Sequence, residues 1–447
     1  MSKIKVSPAR RAAFELLRKV EEEGAYASSL LSAIPEDRLS REDRALAREI
    51  ALGVLRWRRT LDYFIEKYSE RRTERIDLPV LIALRMGLYQ IRHLTRIPHS
   101  AAVNESVNLV KQARTASASG MVNAVLRSAL RSPADRPGES LSDALEREAV
   151  ELSHPEWLIE RWRDMLGDGE TRALALANNE PPAAAFRVNT LRASADEALA
   201  ALLSEGIAAA PSGLIEGAFL VERGALSAAS RAVEEGLIYI QDEASQMVSR
   251  LLDPQSGERI LDLCAAPGSK SSHIAALTGD GSIVTACDIH PHRLATLVST
   301  CRRLGAAGVQ AVALDATRQL PFDESALAFD RVLIDAPCSG TGTLRRNPEI
   351  KWRLAPENIH RLSDIQVDLL ERGARALAPG GRLVYSTCSI EIEENENVIT
   401  RFIEGGAPVR IVRPRVPEAL ITHGGFVRTF PHRHNTDGFF AAVLEKI

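Results

Sequence analysis

Two runs of this chain carry its most evident chemical capacity: Asp335-Ala-Pro-Cys338-Ser-Gly-Thr-Gly342 and Tyr385-Ser-Thr-Cys388-Ser-Ile390. Each places a thiol in a Gly/Ser-rich turn just past a hydrophobic run that reads as a core strand. A lone free cysteine is usually a buried, inert packing group. Two of them on strand-end turns converge on one crevice, where a thiolate can act as a covalent nucleophile. Carbon 5 of a pyrimidine is a poor nucleophile, but addition of a thiolate to carbon 6 makes it an enamine-like centre able to attack a sulfonium methyl. Such chemistry needs a thiol acidified by nearby cations or by the sulfonium itself, and a carboxyl group beside the ring nitrogen, for which Asp335 is the candidate. A second cysteine has work at the end, when the carbon-5 proton must leave and the enzyme be eliminated. Spacing does not say which of Cys338 and Cys388 attacks. Cys264, Cys287 and Cys301 read as packing residues.

The first strand-to-helix turn, Leu263-Cys-Ala-Ala-Pro-Gly-Ser-Lys270, is built of small residues that let a ligand approach the main chain. It is neither Gly-x-Gly-x-x-Gly nor a phosphate loop ending in Gly-Lys-Ser/Thr, so nicotinamide and ATP are disfavoured. Asp288 closes the next strand, where an acidic residue accepts ribose hydroxyls, and Asp315 closes the third, suited to an adenine amino group. A nucleoside without pyrophosphate fits this set best, which favours S-adenosylmethionine.

Strands must alternate with helices to bring these turns together. The expected strands are Arg259–Leu263, Ser282–Cys287, Val309–Leu314, Asp330–Ile334 and Gly381–Tyr385, with Gly425–Phe430 and Gly438–Leu444 closing a Rossmann-like, doubly wound α/β sheet. Ligands bind outside the carboxyl ends of such strands. Residues 8–131 instead read as helices throughout, for example Val80, Leu81, Leu84, Leu88 and Ile91 on one face after Pro79. Between lies a smaller mixed α/β region, in which Arg187 and Asn189 are as readily structural as substrate-facing. Ser132–Gly138, rich in Pro, Gly and Ser, reads as a linker. The expected organisation is therefore multidomain: an all-α domain over 1–135, a mixed region over 150–245 and the sheet domain over 246–447.

The 447 residues suit two or three domains. The net charge of −3 hides an asymmetry: residues 1–131 hold 24 Lys/Arg against 15 Asp/Glu, while the remainder holds 32 against 44. A basic front end suggests an anionic partner such as nucleic acid. Clusters at Arg56, Arg58 and Arg59, at Arg71, Arg72 and Arg75, and at Arg92, His93 and Arg96 are the candidate phosphate contacts; Trp57, Tyr63 and Tyr89 among them read as core. Five cysteines without a Cys-x-x-Cys exclude a disulfide framework and a zinc module. The histidines show no metal-ligand spacing, and His432 and His434 read as solvent- or RNA-facing. Met1–Pro8 lacks a signal-peptide core and no long apolar run occurs, so a cytoplasmic location away from membranes is expected.

Leu263–Lys270, Asp335–Gly342, Arg345-Arg-Asn-Pro-Glu-Ile-Lys-Trp352 and Tyr385–Ile390 resemble the motifs of the RNA cytosine-5 methyltransferases of the NOL1/NOP2/Sun family, and the helical front end resembles a NusB-like RNA-binding domain. The resemblance spans essentially the whole chain, including the ending Asp437-Gly-Phe-Phe440. It implies an S-adenosylmethionine site at Cys264, Ala265, Ala266, Pro267, Gly268, Ser269 and Lys270 with Asp288, Asp315 and Asp335. Ser269 stands where the family more often has glycine, and is small enough to serve. The resemblance further implies Cys388 as the attacking thiolate, Cys338 as the residue assisting release, and Lys270 either stabilising charge near the base or pairing with Asp335. The implied substrate is a cytosine of 16S ribosomal RNA, cytosine 967, taken out of its stack to react, with the protein expected to be a monomer. The alternatives are the same chemistry on transfer RNA and a non-catalytic RNA-binding or antitermination factor; the intact cysteine motifs argue against the latter.

Overall fold

The computed structural model describes residues 5–35, 38–321 and 328–447. The first four residues of the N-terminal stretch considered above lie outside them. The chain forms two compact units: one comprises residues 1–181 together with Leu344–Arg353, the other Pro182–Thr343 and Leu354–Ile447.

Among its described residues the first unit has no strand. Its helices include Pro8–Glu23, Ala27–Ser32, Arg41–Arg56, Arg58–Ser69, Leu78–His93, His99–Gln112, Ser119–Arg131, Ala144–Leu152, Glu156–Leu166 and Asp168–Asn179. Local sequence sets their ends. Pro8 supplies a first-turn residue that needs no N–H donor, and Ser40 caps Arg41–Arg56 by accepting from the Asp43 amide. Gly53 is required by packing: a Cβ there would lie 1.9 Å from the Tyr89 ring. The Tyr89 hydroxyl in turn donates to Glu49.

Leu344–Arg353 joins this unit by capping helix ends. The buried Lys351 ammonium donates to the carbonyl oxygens of Arg56 (2.8 Å) and Ser153 (2.7 Å) and to Asn179 Oδ1 (3.0 Å). The helices Arg41–Arg56, Ala144–Leu152 and Asp168–Asn179 all finish there. Unpaired carbonyls give each helix C-terminus a partial negative charge, which a cation offsets. The Trp352 indole donates to the Leu55 carbonyl at 2.6 Å. Arg353 donates to the Val20, Gly24 and Ala25 carbonyls at the end of Pro8–Glu23.

Several expectations for this unit need correction. Arg56 is buried and donates to the Arg345 carbonyl; Arg58 pairs with Glu21 and Arg59 with Glu156. Arg92 lies over the Phe64 ring and donates to the Tyr68 hydroxyl, and His93 stacks on Tyr89. These groups have partners within the unit, whereas Arg71, Arg72, Arg75 and Arg96 are exposed. The stretch read as a linker is fastened, since Asp135 accepts from Tyr68 and pairs with Lys67.

Among its described residues the second unit contains two sheets. The smaller is antiparallel, of β1 (Ala185–Val188), β2 (Ala208–Pro211), β3 (Ala218–Arg223) and β4 (Ile238–Ile240), in the order β2-β3-β1-β4. The larger has β5 (Arg259–Asp262), β6 (Ile283–Asp288), β7 (Val309–Ala313), β8 (Phe329–Asp335), β9 (Leu377–Thr387), β10 (Val409–Ile411), β11 (Val427–Thr429) and β12 (Phe439–Lys446). Its order is β10-β12-β9-β8-β5-β6-β7, with β11 paired to β12. Strands β7, β6, β5, β8 and β9 are parallel, and β12 runs antiparallel to β9. Every strand read from the sequence of this domain is present, and β8 and β9, which lead to the two cysteine turns, are neighbours. Helices such as Ser269–Leu277, Pro291–Leu304 and Pro356–Ala376 connect them.

Candidate active site

The turn after β5 forms the first wall. Its backbone is fixed where the Ala265 amide donates to the Cys287 carbonyl at 2.7 Å. Gly268 then takes φ +95° to open the helix Ser269–Leu277, a conformation that suits glycine. Asp288 ends β6 and is buried, held by the His290 amide (2.8 Å) and by Arg293 (3.1 Å). Arg293 also donates to the Ala266 carbonyl, so it ties Asp288 to the turn. Asp315 instead bonds within its own loop, to Thr317 and Arg318. A side-chain-poor turn at a helix N-terminus, with a fixed carboxylate on the adjacent strand end, fits a nucleoside ligand with ribose hydroxyls on Asp288.

The thiols form the second wall. Cys338 Sγ and Cys388 Sγ lie 3.3 Å apart. Beside them Lys270 Nζ donates to Asp335 Oδ2 at 2.6 Å, and the Ser386 hydroxyl donates to Asp335 Oδ1 at 2.9 Å. Both oxygens of Asp335 are thus oriented by neighbours. Lys270 sits 5.6 Å from the Phe439 ring centroid. Burial alone would lower its pKa, but the Asp335 carboxylate, with a smaller part from Cys388, holds it above the ordinary lysine value. Lys270 is therefore a cation fixed on Asp335.

The hydrogen bond with Cys388, burial and the nearby charges of Cys388, Glu394 and Asp335 push the Cys338 thiol well above its usual range. Cys338 is therefore held as a thiol, able to donate to Cys388. Cys287 is pushed up to about 12 and Cys301 to about 11 by burial first, and burial likewise raises Cys264. These three remain neutral packing groups, as their sequence context implies.

Of the residues singled out from sequence, Cys338, Cys388, Asp335 and Lys270 share one cluster. Cys264 feels the charges of Asp262, Asp335 and Asp288, which brings the cofactor turn to the same place. Arg187 and Asn189 are structural: Arg187 donates to Ser272 Oγ and Gln241, bracing the helix after the turn, and Asn189 Nδ2 bridges the Gly236 and Leu304 carbonyls. His434 is half-buried, and its Nδ1 accepts from the Phe430 amide. Ser386, Arg293, Phe439 and Glu394 were missed. Ser386 stands inside a cysteine run, while Arg293, Phe439 and Glu394 reach Ala266, Lys270 and Ser339 across separations that no local pattern records.

Three regions of the chain match known families. Residues 249–445 match the family model of 16S rRNA methyltransferase RsmB/F, residues 7–131 that of the NusB family, and residues 154–226 the Methyltr_RsmF/B-like ferredoxin-like domain. The chain is 36% identical, over 99% of its length and 100% of the relative's, to the "Probable ribosomal RNA small subunit methyltransferase B" of Bacillus subtilis strain 168. It is 34% identical to ribosomal RNA small subunit methyltransferase B of Shigella flexneri, over 98% of both chains. The crystal structure of PH0851 superposes with a TM-score of 0.84 at 30% identity, covering 99% of each chain.

Proposed function

We propose a specific reaction for this chain, which belongs to the 16S ribosomal RNA methyltransferase B family and methylates ribosomal RNA from S-adenosylmethionine: transfer of the methyl group to carbon 5 of a cytosine, cytosine 967, through a covalent cysteine adduct. S-adenosylmethionine supplies the methyl group as an electrophile, and Cys264–Lys270 with Asp288, Asp315 and Asp335 would hold it. Cys388 is the nucleophile. Its sulfur bonds to carbon 6, the ring's double-bond electrons move towards carbon 5, and Lys270 stabilises the thiolate beforehand. On addition the ring nitrogen takes up the proton that Cys388 has lost and gives it up again on release, and in between Asp335, oriented by Lys270 and Ser386, accepts its hydrogen bond. Carbon 5 attacks the methyl carbon, and the bond from that carbon to the sulfonium breaks with its electrons left on sulfur, releasing S-adenosylhomocysteine; the carbon-5 proton then leaves to water, and Cys338, held as a thiol, donates to the departing Cys388 sulfur. The C–H electron pair restores the ring double bond and expels Cys388 as thiolate. Exposed Arg71, Arg72, Arg75 and Arg96 supply phosphate contacts on the RNA.

The observation that carries this reading is the thiol pair at 3.3 Å with the Lys270–Asp335 ion pair beside it. Cys388→Ala should abolish methyl transfer while leaving S-adenosylmethionine binding intact; Cys338→Ala should accumulate a gel-stable protein–RNA adduct. Wild-type turnover by Cys388→Ala sinks the covalent mechanism. Bisulfite sequencing of RNA from a deletion strain tests the substrate: loss of one small-subunit 5-methylcytosine is expected, and loss confined to transfer RNA overturns the assignment.

A further inference from the structure

Just beyond each thiol the chain turns into a polar network with no access to solvent. Ser339, Thr341, Ser389, Gln366, Glu394 and Asn395 are all buried, and Glu394, Ser389 and Asn395 have no exposed surface. Glu394 ends a short 3₁₀ turn, Ile392–Glu394, and faces the residue after Cys338. Its Oε1 accepts from the Ser339 amide at 2.8 Å and from Gln366 Nε2 at 3.2 Å, and its Oε2 accepts from the Ser339 hydroxyl. The Ser339 hydroxyl lies 3.0 Å from the Ser389 hydroxyl, on the residue after Cys388. Asn395, the next residue, accepts from the Thr387 hydroxyl at 2.6 Å and donates to the Ser389 carbonyl at 2.9 Å, fixing the Cys388 turn from both sides.

The mechanism uses none of these groups, yet a buried carboxylate is costly unless it is fully hydrogen-bonded. Here its donors come from the Cys338 turn and from the helix Pro356–Ala376, which carries Gln366. We propose that Glu394 is a positioning residue: it clamps the turn after Cys338 to the turn after Cys388 and thereby sets the separation of the two sulfurs. Its consequence for turnover rests on the covalent reading above; its consequence for thiol geometry does not. The Glu394 charge also adds to the forces that keep Cys338 protonated.

Two readouts on the full chain test this. The first is the rate at which diamide joins Cys338 to Cys388, mapped by peptide mass; two thiols lose their protons and electrons to the reagent's nitrogen–nitrogen double bond as the disulfide forms. The second is turnover on RNA with covalent adduct measured on gels. Glu394→Ala should slow disulfide formation and reduce kcat by about a hundredfold, the penalty of ångström-scale misplacement, with S-adenosylmethionine affinity unchanged and adduct accumulating. Glu394→Gln, which keeps one acceptor, should fall between it and the parent chain. Ser339→Ala, which keeps the backbone amide, should shift both readouts in the same direction by less, and stands in if the Glu394 variants fail to fold. A parent-like disulfide rate in Glu394→Ala overturns the proposal, as does a loss of activity that merely follows loss of cofactor affinity. Turnover by Cys388→Ala would remove the covalent mechanism but leave the disulfide rate as a decisive measure of the clamp.

Discussion

Lys270 and Lys351 are both buried, and they sit in opposite electrostatic surroundings. Lys270, at the strand ends of the second unit, meets the carboxylate of Asp335, which keeps its pKa raised against burial. Lys351, in the first unit, donates to neutral oxygens, and burial, with some repulsion from Arg56, drives its pKa well below the lysine range. A buried cation beside a carboxylate and a thiol is equipped for a reaction that moves charge. One surrounded by carbonyls closes helix ends. The same residue type, at similar depth, thus reports chemistry in one unit and architecture in the other.

The sharpest way to break this contrast is to remove each ammonium while keeping its bulk. Lys270→Met should lower kcat/KM by roughly a thousandfold per folded molecule, since it removes a preorganised charge at the reacting groups. Near-parent activity would place Lys270 with the structural cations. A second measurement concerns Asp262, the last residue of β5, buried and accepting from Ser271. Burial raises its pKa from 3.8 to about 7. The folded state therefore binds a proton that the unfolded state has released. The stability from this group is complete below pH about 4 and is lost as pH rises through about 7, by at most about 4 kcal/mol. Asp262→Asn should flatten that slope in urea titrations between pH 4 and 7.5; an unchanged slope would assign it to other groups. Lys351→Met should cost about 3 kcal/mol of unfolding free energy, because buried oxygens lose their donor, with kcat per folded molecule preserved. A loss of kcat without loss of stability would erase the distinction.

The part of the molecule legible in sequence was the part written in local patterns. Short apolar runs alternating with helices marked the parallel strands, and the turns after β5, β8 and β9 announced themselves by small residues and by Cys338 and Cys388. Residues that act across long separations were not legible. Glu394 lies in Glu391-Ile-Glu-Glu-Asn-Glu-Asn397, which has the composition of a solvated loop. Arg56, Arg58 and Arg59 look like a nucleic-acid patch because charge is visible in sequence and its partners are not. Arg345–Trp352 was recognisable only by resemblance, and resemblance does not disclose that its Lys351 ends three helices.

Residues 344–353 also constrain how the gene can be divided. The chain passes between units at Pro181, Thr343 and Leu354, so no single cut yields two complete pieces. A fragment ending at residue 181 would lack the ammonium that its helix termini require, and the complementary fragment would carry a decapeptide whose polar and aromatic groups had lost their partners. The front end is thus completed by a peptide translated more than 160 residues after it, and on the ribosome its helices must wait for that segment before their last bonds can close.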